Sequence, residues 1–201
     1  AKPTAPAPLT APEFSGGSDP FKLGVASGDA LPDSVICWTR LVPEPQAADG
    51  LGGLDNAPQK VVWEIAADEA FTTLVGTELI TTEANFAHSV HVDAQGLEPD
   101  TWYWYRFRTG EYTSPVGRTR TLPTPATIET TLTLAFASCQ ERQSGYYTAY
   151  EAMAKDDLDL VLHLGDYIYE YASGDVEGRT SPGTLAGTLT AFRNQYAAYK
   201  V

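Results

Sequence analysis

The hydrophobic pattern of this chain changes at the proline-containing stretch 122–126, and this change constrains the fold more than any other feature. Before the stretch, apolar and polar residues alternate in short runs separated by turn residues, which is typical of antiparallel strands. After it, two apolar runs enclose a segment with helical spacing. A strand–helix–strand order predicts two parallel strands joined by a crossover. We therefore predict a mixed fold, in which a β-sandwich precedes the first βαβ part of an α/β domain.

The predicted domain boundaries follow from this pattern. Residues 1–19, rich in Pro, Ala, Gly and Ser, are expected to form a flexible leader, and residues 20–122 a fibronectin III- or immunoglobulin-like sandwich. Residues 123–130 are expected to be a linker, and residues 131–201 to begin the α/β domain. Strands of the sandwich are predicted at residues 34–39, 61–65, 77–82, 88–92, 102–108 and 117–121.

One local sequence supports the sandwich. Residues 96–101 lead into the predicted strand that contains Tyr103, as in the tyrosine corner of immunoglobulin-like domains. We expect the hydroxyl of Tyr103 to bond to upstream backbone. We also expect Tyr103, Tyr105 and Phe107 to share one face of their strand, because side chains alternate between the two faces.

The second part of the chain has fewer predicted elements. Strands are expected at residues 131–137 and 158–164. Between them, residues 146–154 have apolar side chains at helical spacing, with Ser144 or Gly145 as the N-cap. A further helix is expected over residues 185–200, after a loop.

Composition argues against several functional classes. Of the 201 residues, 43% are hydrophobic, which suffices for a core and argues against disorder of the whole chain. The formal net charge of −13 would repel nucleic acid and anionic lipid, so neither is an expected partner. No apolar run approaches the roughly 20 residues of a membrane span.

The beginning of the sequence bears on where the protein is located. Its first residues resemble a mature N-terminus after signal removal, although a chain cut elsewhere would look the same. Few lysines and abundant Thr, Gly and Pro point in the same direction. We expect a secreted protein, or one that is periplasmic or associated with the cell wall.

Three side chains that a cation can convert to anionic ligands follow the two predicted parallel strands. Cys139 lies just past the first strand, Asp166 just past the second, and Tyr169 three residues further. Because neighbouring parallel strands lie about 4.8 Å apart, Cys139 and Asp166 can reach one ion at the carboxyl edge of the sheet. Taken singly, each has an ordinary interpretation: a packed thiol, a turn, a phenol in the core or on the surface. Their combination predicts a metal site.

The residues around these groups resemble a known family. Residues 165–169, Gly-Asp-Tyr-Ile-Tyr, are similar to the G-D-x-x-Y motif of binuclear metallophosphatases, in which the aspartate bridges two metals and the tyrosine binds iron(III). A narrower resemblance is to the alkaline phosphatase D (PhoD-like) family of phosphatases and phosphodiesterases. It covers nearly all residues from Phe21 onward and is clearest at residues 24–29, 38–41, 114–121, 136–140, 145–150 and 162–171.

The resemblance implies a fold, a metal centre and an activity. The α/β part would be an α/β/β/α-type metallophosphoesterase domain, with iron(III) held by Cys139, Asp166 and Tyr169 and with calcium beside it, bridged by Asp166. The activity would be hydrolysis of phosphomonoesters, phosphodiesters or both by a hydroxide that the metals activate. A phospholipase D-type phosphodiesterase on the same scaffold is an alternative. An alternative from another class is a non-catalytic fibronectin-like binding module with a degenerate α/β partner, which predicts no iron.

The thiol and one arginine have competing interpretations. A disulfide between Cys37 and Cys139 is the main rival of metal binding. Arg179, in the loop after the motif, could bind phosphate through its bidentate fork, but a solvated loop arginine is the simpler interpretation.

The histidines are expected to be structural. His163 precedes Asp166 by three residues within a strand, which places it on the opposite face and favours a core residue over a ligand. His88 and His91 lie in the β part.

The family has further ligands that residues 1–201 do not contain, including an Asn-Asp pair, a W-D-D-H-E stretch and later histidines. Two parallel strands and two helices also cannot bury both faces of a sheet. We therefore expect a second polypeptide to supply the rest of the catalytic domain. Without it, the chain is expected to aggregate or to lack phosphatase activity.

Overall fold

The computed structural model describes residues 5–126, 131–170, 179 and 187–201. The chain divides into two compact units, Ala1–Ile128 and Glu129–Val201. Each unit is described by itself.

The first unit is an antiparallel β-sandwich. Its strands are β1 (Val25–Gly28), β2 (Ser34–Arg40), β3 (Gln59–Ala66), β4 (Leu74–Thr82), β5 (Ser89–Gln95), β6 (Trp102–Thr109), β7 (Tyr112–Thr113) and β8 (Gly117–Arg120). One sheet has the order β1-β2-β5, and the other has the order β4-β3-β6-β7, with β8 also paired to β6. All six predicted strands are confirmed. Sequence reasoning missed β1 and β7, which are too short to show a hydrophobic period.

The core of the sandwich lies between the two sheets. Val35 and Cys37 of β2 pack there with residues of β3 and β6. In β6 burial alternates strictly, with Tyr103, Tyr105 and Phe107 buried and their neighbours partly exposed. The predicted shared face of these three residues is therefore confirmed, and it is the face that packs into the core.

The tyrosine corner is present as predicted. The hydroxyl of Tyr103 accepts a hydrogen bond from the backbone N–H of Glu98 at 2.9 Å. The hydroxyl of Thr121 donates to the carbonyl of Glu98 at 2.7 Å, and its oxygen accepts from the N–H of Thr101 at 3.0 Å. Main-chain groups at this end of the sandwich are thus satisfied by side chains from distant positions.

The described part of the predicted leader contacts the sandwich. The N–H of Gly110 donates to the carbonyl of Pro12 at 2.7 Å. The ring of Phe14 packs edge-on against Tyr112, with 6.1 Å between centroids. Residues 5–19 therefore make specific contacts with the sandwich, although their composition is typical of a linker.

The second unit contains a parallel strand pair and two described helices. Its elements are β9 (Leu134–Ala137), α1 (Thr148–Met153), β10 (Leu160–His163) and α2 (Leu189–Lys200). β9 and β10 pair in parallel, with Leu134 opposite Leu160 and Ala137 opposite His163. The predicted strand–helix–strand order and the parallel pairing are confirmed.

The predicted N-cap of the first helix was wrong. α1 follows Tyr147, which makes no side-chain capping bond, whereas Ser144 and Gly145 lie in or just after a short 3-10 turn. The side chain of Ser144 is engaged instead with the carboxylate of Glu141. A serine hydroxyl caps a helix only where the first N–H groups of the helix point toward its oxygen. Here the hydroxyl of Ser144 bonds to Glu141 instead.

The last helix begins later than predicted, at Leu189. Thr188 is its N-cap, and its hydroxyl accepts from the N–H of Ala191 at 3.2 Å. Residues 185 and 186 of the predicted helix lie outside the described residues. Within the described ranges, neither helix has the length and apolar character needed to cross a membrane.

The tyrosine corner yields a stability prediction. Replacing Tyr103 by Phe keeps the buried ring but leaves the N–H of Glu98 without its acceptor. We expect Tyr103→Phe to lower the free energy of unfolding of the sandwich by about 1–2 kcal/mol, measured by urea denaturation with tryptophan fluorescence. Tyr112→Phe is the matched control, because the ring contact of Tyr112 with Phe14 remains. Equal losses in both variants would contradict a specific role of the corner.

A buried histidine yields a prediction about pH. His88 is fully buried, and its Nε2 lies 3.0 Å from the carbonyl oxygen of Asp55. Burial lowers the pKa of His88 from its ordinary value of 6.5, and the charge of Arg40 acts in the same direction, although the bond to Asp55 opposes them. Below about pH 6.5 the unfolded chain therefore binds the proton more readily than the native one, and protonation favours unfolding.

We expect the sandwich to be most stable above about pH 6.5 and to lose stability as the pH falls below that value. Substituting His88 by Gln should flatten this dependence. His91, which is exposed, provides the control, because His91→Gln removes a surface imidazole and should leave the dependence in place. The measurement is urea unfolding at a series of pH values between 5 and 8. A His88→Gln variant with an unchanged pH profile would refute this assignment.

Candidate metal centre

The two loops that follow β9 and β10 are joined by backbone hydrogen bonds. The N–H of Leu164 donates to the carbonyl of Ala137 at 2.8 Å. Beyond it, the N–H of Cys139 donates to the carbonyl of Gly165, and the N–H of Gln140 to that of Asp166, both at 3.2 Å. The parallel pairing thus extends past the ends of the strands. This extension holds Cys139 beside Asp166, although 27 residues separate them in the sequence.

The three predicted ligand side chains converge on a single carboxylate oxygen. The Sγ of Cys139 lies 3.5 Å from Oδ2 of Asp166. The hydroxyl oxygen of Tyr169 lies 3.2 Å from the same Oδ2. Thiol, carboxyl and phenol therefore meet at one point on the carboxyl edge of the β9–β10 sheet, where α/β proteins bind ligands.

Strained backbone positions two of these side chains. Seven non-glycine residues of the described chain have positive φ, and they include Cys139 at 56° and Asp166 at 54°. Gly165 has φ of 123°, which only glycine adopts without strain. Left-handed backbone at non-glycine residues costs free energy and persists where surrounding bonds hold it, often at functional sites. Here the interloop backbone bonds hold it.

The neighbours of Tyr169 disfavour ionisation of its phenol in the absence of a cation. Bonding to Cys139 raises the pKa of Tyr169, and desolvation, the bond to Asp166 and the charges of these neighbours add to the effect. Ionising a phenol next to a thiol and a carboxylate brings like charges together. A cation at the meeting point would remove this cost, because it stabilises all three anions at once.

The donor set fits a trivalent iron. Carboxylate and phenolate are hard anionic oxygen donors, and the thiolate adds a third anion, which favours the ferric state. Among the described residues there is no group of three or more His, Cys, Asp and Glu side chains that could hold a metal. The cluster of Cys139, Asp166 and Tyr169 has only two such residues, and its third donor is a phenol.

The structure contains no disulfide at either of the two cysteines. Cys37 and Cys139 are both described and both are free cysteines. Cys37 lies in the sandwich core, where burial raises the pKa of its thiol to about 12 and leaves it unreactive. Cys139 is exposed at the edge of the sheet.

His163 and Arg179 contact other groups. The ring of His163 packs edge-on against Tyr167, with 4.9 Å between centroids, and its Nδ1 accepts from the N–H of Gly165 at 3.4 Å. The guanidinium of Arg179 donates to the carbonyl of Gly145 at 2.9 Å and lies over the rings of Tyr146 and Tyr147. Arg179 is therefore only partly solvated, and it faces the loop between β9 and α1.

Sequence reasoning missed a set of polar side chains around Tyr169. Gln195 Nε2 donates to the carbonyl of Tyr169 at 2.9 Å, and the hydroxyl of Tyr199 accepts from the N–H of Tyr169 at 3.3 Å. Tyr199 in turn donates to Oε1 of Gln143 at 3.2 Å. The only sequence signal was the spacing of Gln195 and Tyr199, which places both on one face of a helix. That spacing does not reveal a partner 26 or 30 residues away.

The chain thus combines an antiparallel β-sandwich with a parallel βαβ unit, and at the strand ends of that unit a thiol, a carboxyl and a phenol lie together. The family described as "PhoD-like phosphatase, N-terminal domain" matches residues 5–123. The family described as "PhoD-like phosphatase" matches residues 134–201. The chain belongs to the PhoD-like phosphatase family.

Two relatives are similar over nearly the whole chain. Alkaline phosphatase D of Bacillus subtilis (strain 168) is 51% identical over an alignment of 199 residues, and the match covers 94% of this chain and 33% of the relative. A solved structure described as "Structure of PhoD" has a TM-score of 0.87 and 50% identity, over 94% of this chain and 36% of that one. The chain thus spans about a third of the length of the relatives it matches.

The strained backbone of Cys139 yields a prediction for the metal-free protein. Valine is disfavoured in the left-handed region and glycine is not, so Cys139→Gly should be more stable than Cys139→Val by about 1–2 kcal/mol. Hydrogen exchange of the backbone amides in β9 and β10 measures this difference. The same two substitutions at the exposed neighbour Ser138, which does not have positive φ, are the control. An equal difference at both positions would mean that the strain at Cys139 has no energetic consequence.

Proposed function

We propose that this chain is the N-terminal part of a secreted, metal-dependent phosphoesterase that hydrolyses phosphomonoesters, phosphodiesters or both. The observation that carries the proposal is the convergence of Cys139 Sγ and Tyr169 hydroxyl on one oxygen of Asp166. Family membership supports the same reaction class, since both units of the chain match families described as PhoD-like phosphatases. The relative from Bacillus subtilis is named an alkaline phosphatase.

The proposed cofactors are iron(III) and calcium. Cys139, Asp166 and Tyr169 would hold the iron, and Asp166 would also contact the calcium. When bound, the metals would supply an activated hydroxide and neutralise charge on the phosphoryl oxygens. The contribution of the chain is to deliver three anionic donors from two loops to one point, with the loops fixed by backbone bonds.

Arg179 is a proposed contact for the phosphate group of the substrate. Its charge lies close enough to Arg142 to lower the pKa of Arg142, after the larger effect of burial. Two guanidinium groups that repel each other across a loop create a positive potential, and a bound anion would relieve this repulsion. The bidentate fork of Arg179 suits a phosphoryl group.

The remaining ligands would come from the rest of the catalytic domain, on a second polypeptide or on a continuation of this one. The β9–β10 sheet supports this, because apolar side chains are exposed on both strands and just after β10: Phe136 is 67% exposed, Val161 53% and Leu164 65%. A parallel sheet is normally covered on both faces. Further strands and helices would cover these residues.

Two alternative functions use the same scaffold. A phospholipase D-type phosphodiesterase would need the same donors. A non-catalytic fibronectin-like binding module would need no donors at all. The convergence of three ligand-type side chains on strained backbone favours the metal centre over this second alternative.

Removing the hydroxyl of Tyr169 tests the proposed metal centre. A phenolate bound to iron(III) absorbs visible light by charge transfer, so we expect the complete protein to be coloured and to contain iron and calcium. Tyr169→Phe should abolish this band and lower phosphoesterase activity by about 100-fold, because a direct ligand is lost. Visible absorption, metal analysis, and turnover of a phosphomonoester and a phosphodiester are the measurements.

Tyr167→Phe is the matched control, since Tyr167 lies in the same motif and packs through its ring against His163 and Tyr196. It should keep the band and the activity. A colourless, iron-free protein that still hydrolyses phosphoesters would refute the iron centre. A protein with neither iron nor activity would favour the binding module.

A further inference from the structure

Two residues of α2 contact the main chain of Tyr169 on both sides of its Cα. The amide of Gln195 donates to the carbonyl of Tyr169 at 2.9 Å, and the hydroxyl of Tyr199 accepts from its N–H at 3.3 Å. Gln195 and Tyr199 are four residues apart on one face of the helix, so a rigid element presents both groups together. We call these two contacts the Tyr169 clamp.

The clamp is buried, although its members are polar. Gln195 is 0% exposed, and Tyr199 is 4% exposed. Burying amides and hydroxyls costs free energy unless they form hydrogen bonds, and here one bond from each side chain goes to the main chain of Tyr169. An apolar helix face would fill the same space without fixing the main chain of that residue.

The clamp is itself connected to the loop that bears Cys139. The hydroxyl of Tyr199 donates to Oε1 of Gln143, which is 1% exposed, at 3.2 Å. Because the proton of this hydroxyl is directed to Gln143, its oxygen remains available to accept from the N–H of Tyr169. One hydroxyl thus ties the segment after Cys139 to the segment after Asp166.

Fixing both the N–H and the carbonyl of Tyr169 restricts the two peptide planes that flank it. The direction of the Cα–Cβ bond is then set, and the phenol can reach Asp166 by side-chain rotation alone. This restriction matters because Tyr169 lies in the loop after β10, where the register of the strands does not by itself fix the main chain.

We propose that Gln195 and Tyr199 are positioning residues that hold the phenol of Tyr169 at the metal centre. The proposal rests on the proposed function, in which Tyr169 is an iron ligand. It assigns to the clamp the role that hydrogen-bond partners of metal ligands have elsewhere, where their loss weakens metal binding by about 10- to 100-fold.

The test uses the complete protein with Gln195→Met, which keeps the volume but removes the donor, and with Tyr199→Phe, which removes only the hydroxyl. We expect each variant to lose iron to a chelator about 10-fold faster than the unsubstituted protein. The phenolate-to-iron absorption band should shift or weaken in both. Iron content, the absorption maximum and the thermal midpoint are measured on the same samples.

Tyr147→Phe is the control for the loss of a buried phenolic hydroxyl. The hydroxyl of Tyr147 is buried and has no hydrogen-bond partner among the described residues. Its removal should change neither the band nor the rate of iron loss. If Gln195→Met does not fold, Tyr199→Phe, which keeps the ring, decides the question.

The outcomes separate the clamp from the proposed function. An unsubstituted protein without iron or colour would refute the iron centre and, with it, the role assigned to the clamp. A coloured protein whose band and iron loss are unchanged in both variants would refute the clamp alone, even if their thermal midpoints fall. A shifted band and faster iron loss in both variants, with Tyr147→Phe unchanged, supports it.

Discussion

The parallel pairing of β9 with β10 is the interaction on which the candidate site depends. Cys139 and Asp166 are distant in the sequence, and neither strand positions its ligand alone. The pairing sets the register, and the backbone bonds beyond the strand ends carry that register into the loops. Those bonds lie at the two residues with left-handed backbone, Cys139 and Asp166, and they help to hold it.

Side chains that bond to main chain recur in both units and have the same physical role. In the sandwich, Tyr103 and Thr121 satisfy the backbone of Glu98. In the second unit, Gln195 and Tyr199 do so for Tyr169. Each case replaces missing ladder bonds at a point where the chain leaves regular structure, and each fixes a loop that secondary structure alone would leave free.

The three acidic donor groups and the exposed apolar strands are both consistent with the proposed function. The proposed centre of a thiolate, a carboxylate and a phenolate would need cations, which would offset the repulsion among these groups. The exposed Phe136 and Val161 of the β9–β10 sheet need a cover, which the rest of a longer catalytic domain would provide. The chain spans about a third of the length of its relative from Bacillus subtilis.

The sequence was enough to predict the order of the longer elements, the tyrosine corner and the proximity of Cys139 to Asp166. Each of these follows from a local motif, a local period or a rule about parallel strands. Sequence reasoning misplaced the N-cap of α1 and missed β1, β7 and the Tyr169 clamp. The return of α2 to the loop of Tyr169 appears only in the folded chain, since Gln195 bonds to a carbonyl that every residue possesses. A bond to generic main chain across many residues leaves no pattern in the sequence, so its partner is defined only once the chain has folded.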